Sequence, residues 1–475
     1  MTQALESDTR HVGMSLPQQE RRWQRRSPPP SPKGDSNTED VYERGEETAD
    51  RSSRITAMAD IIINGGEAQE KKSSAESYEL LFYLGERPAR SPLTSAEAFL
   101  KAAISFKGQV VKATWIERGG RTIDPTIYTG LLGTAFTCLR TYESTGNETD
   151  LLLCSEIVDS CAVVAESWNR HVTFLCGRGG VYALGAVAAK YRDDHERLEL
   201  FLNLFYEVAQ EKALPVGPEE GGFGMAYELM YGRVGFLWAA LFINKHIGEG
   251  TVDMSILMPI VDAVLAGGRV GASHSGWPLM YQFHGTRYWG AAHGLAGIMQ
   301  VLLHFPLPHR EDVDDVKGTL RYMIGHRFFH SGNYPSSEGN GRDKLVQWSH
   351  GAGGMAITLC KASQVFPEDM EFRTAAIDAG EVVRKRGLSK KVGLYDGLAG
   401  NAYAFLSLYR LTGERIYADR AKGFASILYQ NVHKLALASP ASFHPYSLFQ
   451  GLAGAACLMF DLANPQSARF PGYEL

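Results

Sequence analysis

Gly393-Leu-Tyr-Asp-Gly-Leu-Ala-Gly-Asn-Ala-Tyr-Ala-Phe405 decides the fold. Inside it a Gly-x-x-Gly element, Gly397 to Gly400, leads straight into an apolar run. The same arrangement returns at Gly130–Gly133, Gly177–Gly180, Gly232–Gly235, Gly294–Gly297, Gly351–Gly354 and Gly451–Gly454, with successive first glycines 47, 55, 62, 57, 46 and 54 residues apart. That period is the size of one helical hairpin with its connections. A single Gly-x-x-Gly says little, whereas seven at a hairpin period define a repeat.

Each element opens a nearly all-apolar stretch, such as GVYALGAVAA or GFLWAALFI, which needs burial on most sides. An amphipathic stretch follows, for instance GERIYADRAKGFASILYQNV, suited to one wet face. The pattern predicts an all-α fold in which seven inner helices are wrapped by seven outer ones. This double-layered (α/α) toroid is closed, because closure removes the ends that an open solenoid must cap. The glycines let each loop turn into its inner helix and let neighbouring hairpins approach closely.

The chain has 475 residues, and the toroid is expected over 76–475, with SYELLFYL and SAEAFLKAAISF as its opening helices. Residues 1–75 hold only Trp23 and Tyr42 as aromatics among many charges, so they are expected to form a disordered Pro/Ser/charge-rich tail. Within it, Arg26-Ser-Pro-Pro-Pro-Ser-Pro32 fits the polyproline-II pattern taken by SH3-type partners, or is a solvated linker. Ser27 is a candidate phosphorylation site. A net charge of −5 argues against a nucleic-acid binder relying on bulk charge.

The apolar run Val234 to Ile243 spans only 10 residues and stops at Asn244-Lys245, so no transmembrane segment is expected. The first dozen residues are too polar for a secretory signal, and Thr2 excludes N-myristoylation. The expected location is cytoplasmic, with peripheral attachment at the plasma membrane as the alternative. Cysteines 138, 154, 161, 176, 360 and 457 contain no Cys-x-x-Cys pair and read as reduced core residues.

All seven Gly-x-x-Gly ends should share one face of the toroid. Residues just before the glycines then converge on a central mouth: Cys176, Tyr231, His293, His350 and Asp396, with Glu228 and Ser349 nearby. Seven helix N-termini there would favour anions.

Tyr288-Trp-Gly-Ala-Ala-His-Gly-Leu-Ala-Gly297, Gly341-Arg-Asp-Lys-Leu-Val-Gln-Trp-Ser-His-Gly351 and Gly393–Phe405 resemble the LanC-like proteins, eukaryotic relatives of bacterial lanthionine cyclases. Thr173-Phe-Leu-Cys-Gly177, Glu228–Gly235, Ser447–Gly451 and Arg469–Leu475 support the likeness, which runs over residues 120–475. The resemblance implies the same toroid and carbon–sulfur chemistry. Zinc holds a thiol as thiolate, and the thiol of glutathione or of a peptide cysteine adds to a dehydroamino acid.

The ligand motif Trp-Cys-His-Gly of that family reads Trp348-Ser349-His350-Gly351 here, and its Cys-His pair reads Tyr395-Asp396. A neutral serine hydroxyl and a phenol are poor zinc ligands. The expectation is therefore no zinc, in a catalytically impaired member that binds a peptide or partner protein. The alternative is an active glutathione-adding enzyme with a rearranged site, in which His293, His350 and Asp396 hold the metal. A third reading, from fold analogy, pairs Glu228 with Asp396 as glycosidase carboxylates 5–10 Å apart.

Three candidate catalytic residues remain. By the resemblance His293 is the general acid, though a histidine can also simply hydrogen-bond loop carbonyls. Glu228 stands where the cyclases carry an acidic residue. Arg342 would bind a carboxylate or phosphate, or is a surface residue. Lys390 matches a lysine that contacts glutathione, or is solvated. Pro440–His444 lacks the arginine expected in the second glutathione loop.

Overall fold

Each of the seven apolar runs is a helix that begins one residue after its first glycine. In a computed structural model the described residues are 93–475 except 120, 169–170, 214–224, 274 and 438–443. The chain divides into units 1–53 and 54–475, and all described residues belong to the second. The expected tail, Arg26–Pro32, Ser27, the SYELLFYL helix and residues 440–443 lie outside the described residues.

The inner helices are α2 (Leu131–Thr145), α4 (Arg178–Tyr191), α6 (Arg233–Ile247), α8 (Leu295–Leu302), α10 (Ala352–Val365), α12 (Leu398–Thr412) and α14 (Leu452–Ala463). The outer helices are α1 (Ala96–Val111), α3 (Glu148–Ala165), α5 (His195–Val208), α7 (Met254–Ala272), α9 (Arg310–Gly325), α11 (Met370–Arg386) and α13 (Arg415–Leu437). Inner helices pack side by side from α2 round to α14, and α14 packs back on α2, so the ring is closed. No strand occurs among the described residues, only the isolated bridges Phe283–Thr286 and Tyr288–Ser337.

One pairing departs from the expected order. Six inner helices pack on the outer helix that follows them, but α14 is followed only by a short segment ending at Leu475. Its outer partner is α1, from the other end of the toroid. Arg469–Leu475 instead inserts among inner helices. Phe470 stacks on Trp348 at 5.0 Å, Gln300 Nε2 of α8 donates to Tyr473 O at 3.2 Å, and the Tyr473 hydroxyl lies 2.6 Å from Thr358 Oγ1 of α10.

Inner and outer helices start differently for a physical reason. Outer helices use side-chain caps: Ser95, Asn147, Asp194 and Asp253 each accept from a first-turn N–H. Inner helices start at glycine with no side-chain cap, and their loops fold back over them. The first helical N–H donates to the carbonyl seven residues upstream in six of them, as in Leu131 to Asp124 at 2.8 Å and Leu398 to Lys391 at 2.9 Å. The fifth differs: Gly351 has φ +88°, and Asn333 Oδ1 takes the Ala352 N–H at 2.9 Å. These N-termini are thus largely occupied by their own loops and are not the open anion sites expected. At all seven second glycines, a Cβ would collide with the carbonyl six residues upstream, such as Trp348 O at Gly354. Only glycine permits that return.

Helix α8 is short because Pro306 and Pro308 follow it. The search for uninterrupted apolar runs also overlooked α7, which is long and apolar enough to cross a membrane by length and composition. It packs one face on α6, and Arg269 bonds Asp312 and Asp315 of α9 at 2.6 and 2.7 Å. The six cysteines are free and buried, as expected. Burial pushes the Cys138 and Cys457 thiols up to about 12, which keeps them protonated.

Candidate functional site

The seven loops preceding the inner helices are hydrogen-bonded to one another around the mouth. Main-chain N–H groups make most links: Tyr128 to Leu175 O (2.9 Å), Phe174 to Gly235 O (3.0 Å), Ser349 to Tyr395 O (3.0 Å), Tyr395 to Phe449 O (2.8 Å) and Phe449 to Tyr128 O (3.2 Å). Ala292 N–H reaches Ser349 O at 3.5 Å. Between the third and fourth loops the described residues show no main-chain bond. There the link is a side-chain pair, Glu228 Oε2 to His293 Nδ1 at 3.1 Å.

Glu228 is 1% exposed. Its carboxylate also accepts from the Met230 and Tyr231 N–H groups, both at 2.7 Å, so the turn of its own loop holds it in place. His293 lies parallel to Phe283 and Tyr231, with centroids at 5.0 and 6.0 Å. With Nδ1 donating to Glu228, Nε2 is the ring nitrogen left for proton exchange. Cys176 hydrogen-bonds Tyr231, and burial, then the Glu228 charge, pushes its thiol well above the ordinary range. It is no thiolate nucleophile at neutral pH.

The other side of the mouth carries the positions that the resemblance makes metal ligands. Ser349 is fully buried, and its hydroxyl donates to Gln347 Oε1 at 3.2 Å and lies 3.1 Å from His350 Nδ1. Burial, helped by nearby His293, lowers the His350 ring to about 3, so it is neutral. Tyr395 packs edge-on to Tyr128 and Trp348. Asp396 is 4% exposed and bonded to Lys391 Nζ at 2.6 Å. No group of three His, Cys, Asp or Glu that could hold a metal occurs among the described residues. An ammonium on the one good oxygen donor, beside a hydroxyl and a phenol, does not fit zinc.

Arg342 is exposed, with its main-chain N–H on Asn340 Oδ1. Lys390 is exposed too, and it is the neighbouring Lys391 that reaches the buried carboxylate. Sequence reasoning missed Lys391 and Phe283; the only signal was the Lys-Lys pair five and six residues before Asp396. Glu228 and Asp396 are each committed to protein partners, so neither stands ready to protonate a glycosidic oxygen.

A closed seven-hairpin ring with the histidine–carboxylate pair at its mouth is the frame of a LanC-type protein. The family described as "Lanthionine synthetase C-like protein" matches residues 122–475, and the chain belongs to it. It is 60% identical over 434 residues to the LanC-like protein GCL1 of Arabidopsis thaliana, covering 89% of this chain and all of that one. It is 34% identical over 375 residues to the protein named Glutathione S-transferase LANCL1 of Danio rerio, covering 76% and 88%. Among solved structures it resembles nisin cyclase, with a TM-score of 0.56 at 14% identity, over 75% of this chain and 94% of that one. That last likeness is one of fold.

Proposed function

We propose that this LanC-like protein works without zinc and uses its mouth to bind a peptide or partner protein, having lost efficient addition of glutathione to dehydroamino acids. The carrying observation is Lys391 on Asp396, beside Ser349 and Tyr395, at the positions where the family resemblance calls for ligands. An unassisted thiol keeps a pKa near 8.5, so only a few per cent is thiolate at pH 7. The Lys391–Asp396 pair leaves no net positive charge there to hold a thiolate, and His350 is neutral.

The second reading, an active enzyme with a rearranged site, is favoured by one observation: His293 is held by Glu228 as a proton-transfer group needs to be. Metal analysis of the purified protein, run beside a glutathione-addition assay on a dehydroalanine peptide, separates the two. Sub-stoichiometric zinc with addition no faster than the uncatalysed rate is expected. One equivalent of zinc with chelator-sensitive addition would overturn the proposal.

A further inference from the structure

The opposite end of the ring holds a polar cavity that the mouth chemistry does not use. It has a volume of about 60 Å³, room for about four waters or one tetrahedral oxyanion. Gln300 and His304 at the end of α8, Lys361 of α10, Arg410 of α12, and Arg469 and Glu474 of the last segment line it.

Three buried atoms of residues that line this cavity have no partner among the described residues: Gln300 Oε1, His304 Nε2 and Arg410 Nη1. Buried polar atoms left unpaired are costly, so such a cluster marks a place where something else completes the bonding. The orientation of Gln300, only 1% exposed, is set by its Nε2 donating to Tyr473 O, which leaves Oε1 as the acceptor. Arg410, 9% exposed at its side chain, spends Nη2 on Ser407 and Glu474 and keeps the Nη1 hydrogens. Burial and nearby Lys361 lower the His304 ring to about 3, so it is neutral, and its orphaned Nε2 can donate as the Nε2–H tautomer. Lys361 feels the Glu474 charge but makes no hydrogen bond or ion pair with a described residue, and it adds an ammonium.

The complement of three donors and one acceptor is an oxyanion that still carries a hydroxyl. We propose that this cavity binds inorganic phosphate, its unprotonated oxygens taking the Arg410, Lys361 and His304 hydrogens and its P–OH donating to Gln300 Oε1. Sulfate has the same shape but no hydroxyl at neutral pH, and would leave Gln300 unpaired. The C-terminal ends of α8, α10 and α12 offset part of the cationic charge, so selectivity rests on these directed bonds.

The test is calorimetric titration of the full-length protein, freed of phosphate by dialysis, with phosphate and with sulfate at constant ionic strength. One phosphate per chain is expected, with sulfate about tenfold weaker or more. Gln300→Leu should bring phosphate down to the sulfate affinity and leave sulfate unchanged, whereas Lys361→Met should weaken both about tenfold or more. Should Gln300→Leu fail to fold, Lys361→Met decides alone, since that side chain is half-buried and bonds no described residue. Absence of saturable phosphate binding, equal affinity for sulfate, or binding unchanged by Lys361→Met would each overturn the assignment.

Discussion

The two sides of the mouth are held together differently. Between the third and fourth loops the bond is Glu228 to His293, side chain to side chain. Between the fifth and sixth it is Ser349 N–H to Tyr395 O, main chain to main chain. Side-chain identity is structural in the first case and incidental in the second. The ring closes at 349 and 395 whatever side chains stand there, so chemistry can change at those positions with little cost to the fold. At 228 and 293 chemistry and architecture are the same bond.

The largest effect should come from rebuilding the permissive side. Ser349→Cys, Tyr395→Cys and Asp396→His, combined with Lys391→Ala to remove the displaced ammonium, should take up one zinc per chain by elemental analysis. Zinc at about 1,000 times its Kd would then raise unfolding stability by about 4 kcal/mol. Failure to bind zinc with the fold intact would mean that the loops no longer present these positions to one point.

On the side-chain-held junction, Glu228→Ala strands two buried N–H groups and His293. A loss of about 3 kcal/mol in urea unfolding is expected; Ser349→Ala should cost about 1 kcal/mol. Equal losses would break the comparison.

Burial sharpens it through pH. The ordinary histidine value of 6.5 falls to about 3 for His350 in the folded protein. The unfolded chain therefore binds the proton first on acidification, and stability should fall from about pH 6.5 towards pH 3. His350 contributes at most about 1.4 kcal/mol per pH unit to that slope. His350→Asn should flatten the slope in urea melts across this window without abolishing it, since His304 behaves alike.

The smallest effects belong to Arg342→Ala and Lys390→Ala, both exposed, which should each shift stability by less than about 0.5 kcal/mol.

How far the sequence could be read depended on the range of the interaction involved. Every inner helix start was legible, because Gly-x-x-Gly followed by an apolar run is a local pattern with a local cause: the loop returns over the first turn. Mouth residues one to four places before the glycines followed from the same register, which is why Glu228, His293, Ser349 and Asp396 were found. The loop-to-loop links were not legible, since main-chain N–H and C=O groups leave no trace in residue identity. Lys391 was passed over for Lys390 because adjacent lysines differ only in which one the turn aims inward. The partner of α14 was misjudged because the repeat was read forwards, and nothing in 452–475 points back to Ala96–Val111.

That last pairing has a consequence for synthesis. Helix α1 buries Phe99, Phe106 and Val110 in the finished ring, and its inner partner α14 begins only at Leu452. At 5–20 residues per second, the interval between completing α1 and starting α14 is about 20–70 s. During it the nascent chain carries an uncovered apolar seam, and the ring cannot shut until α14 has left the ribosome. A circular permutant that covalently joins the two ends of the toroid and opens at an outer loop would make α14 and α1 a hairpin like the other six. It would remove that wait at its present place and impose it on another hairpin.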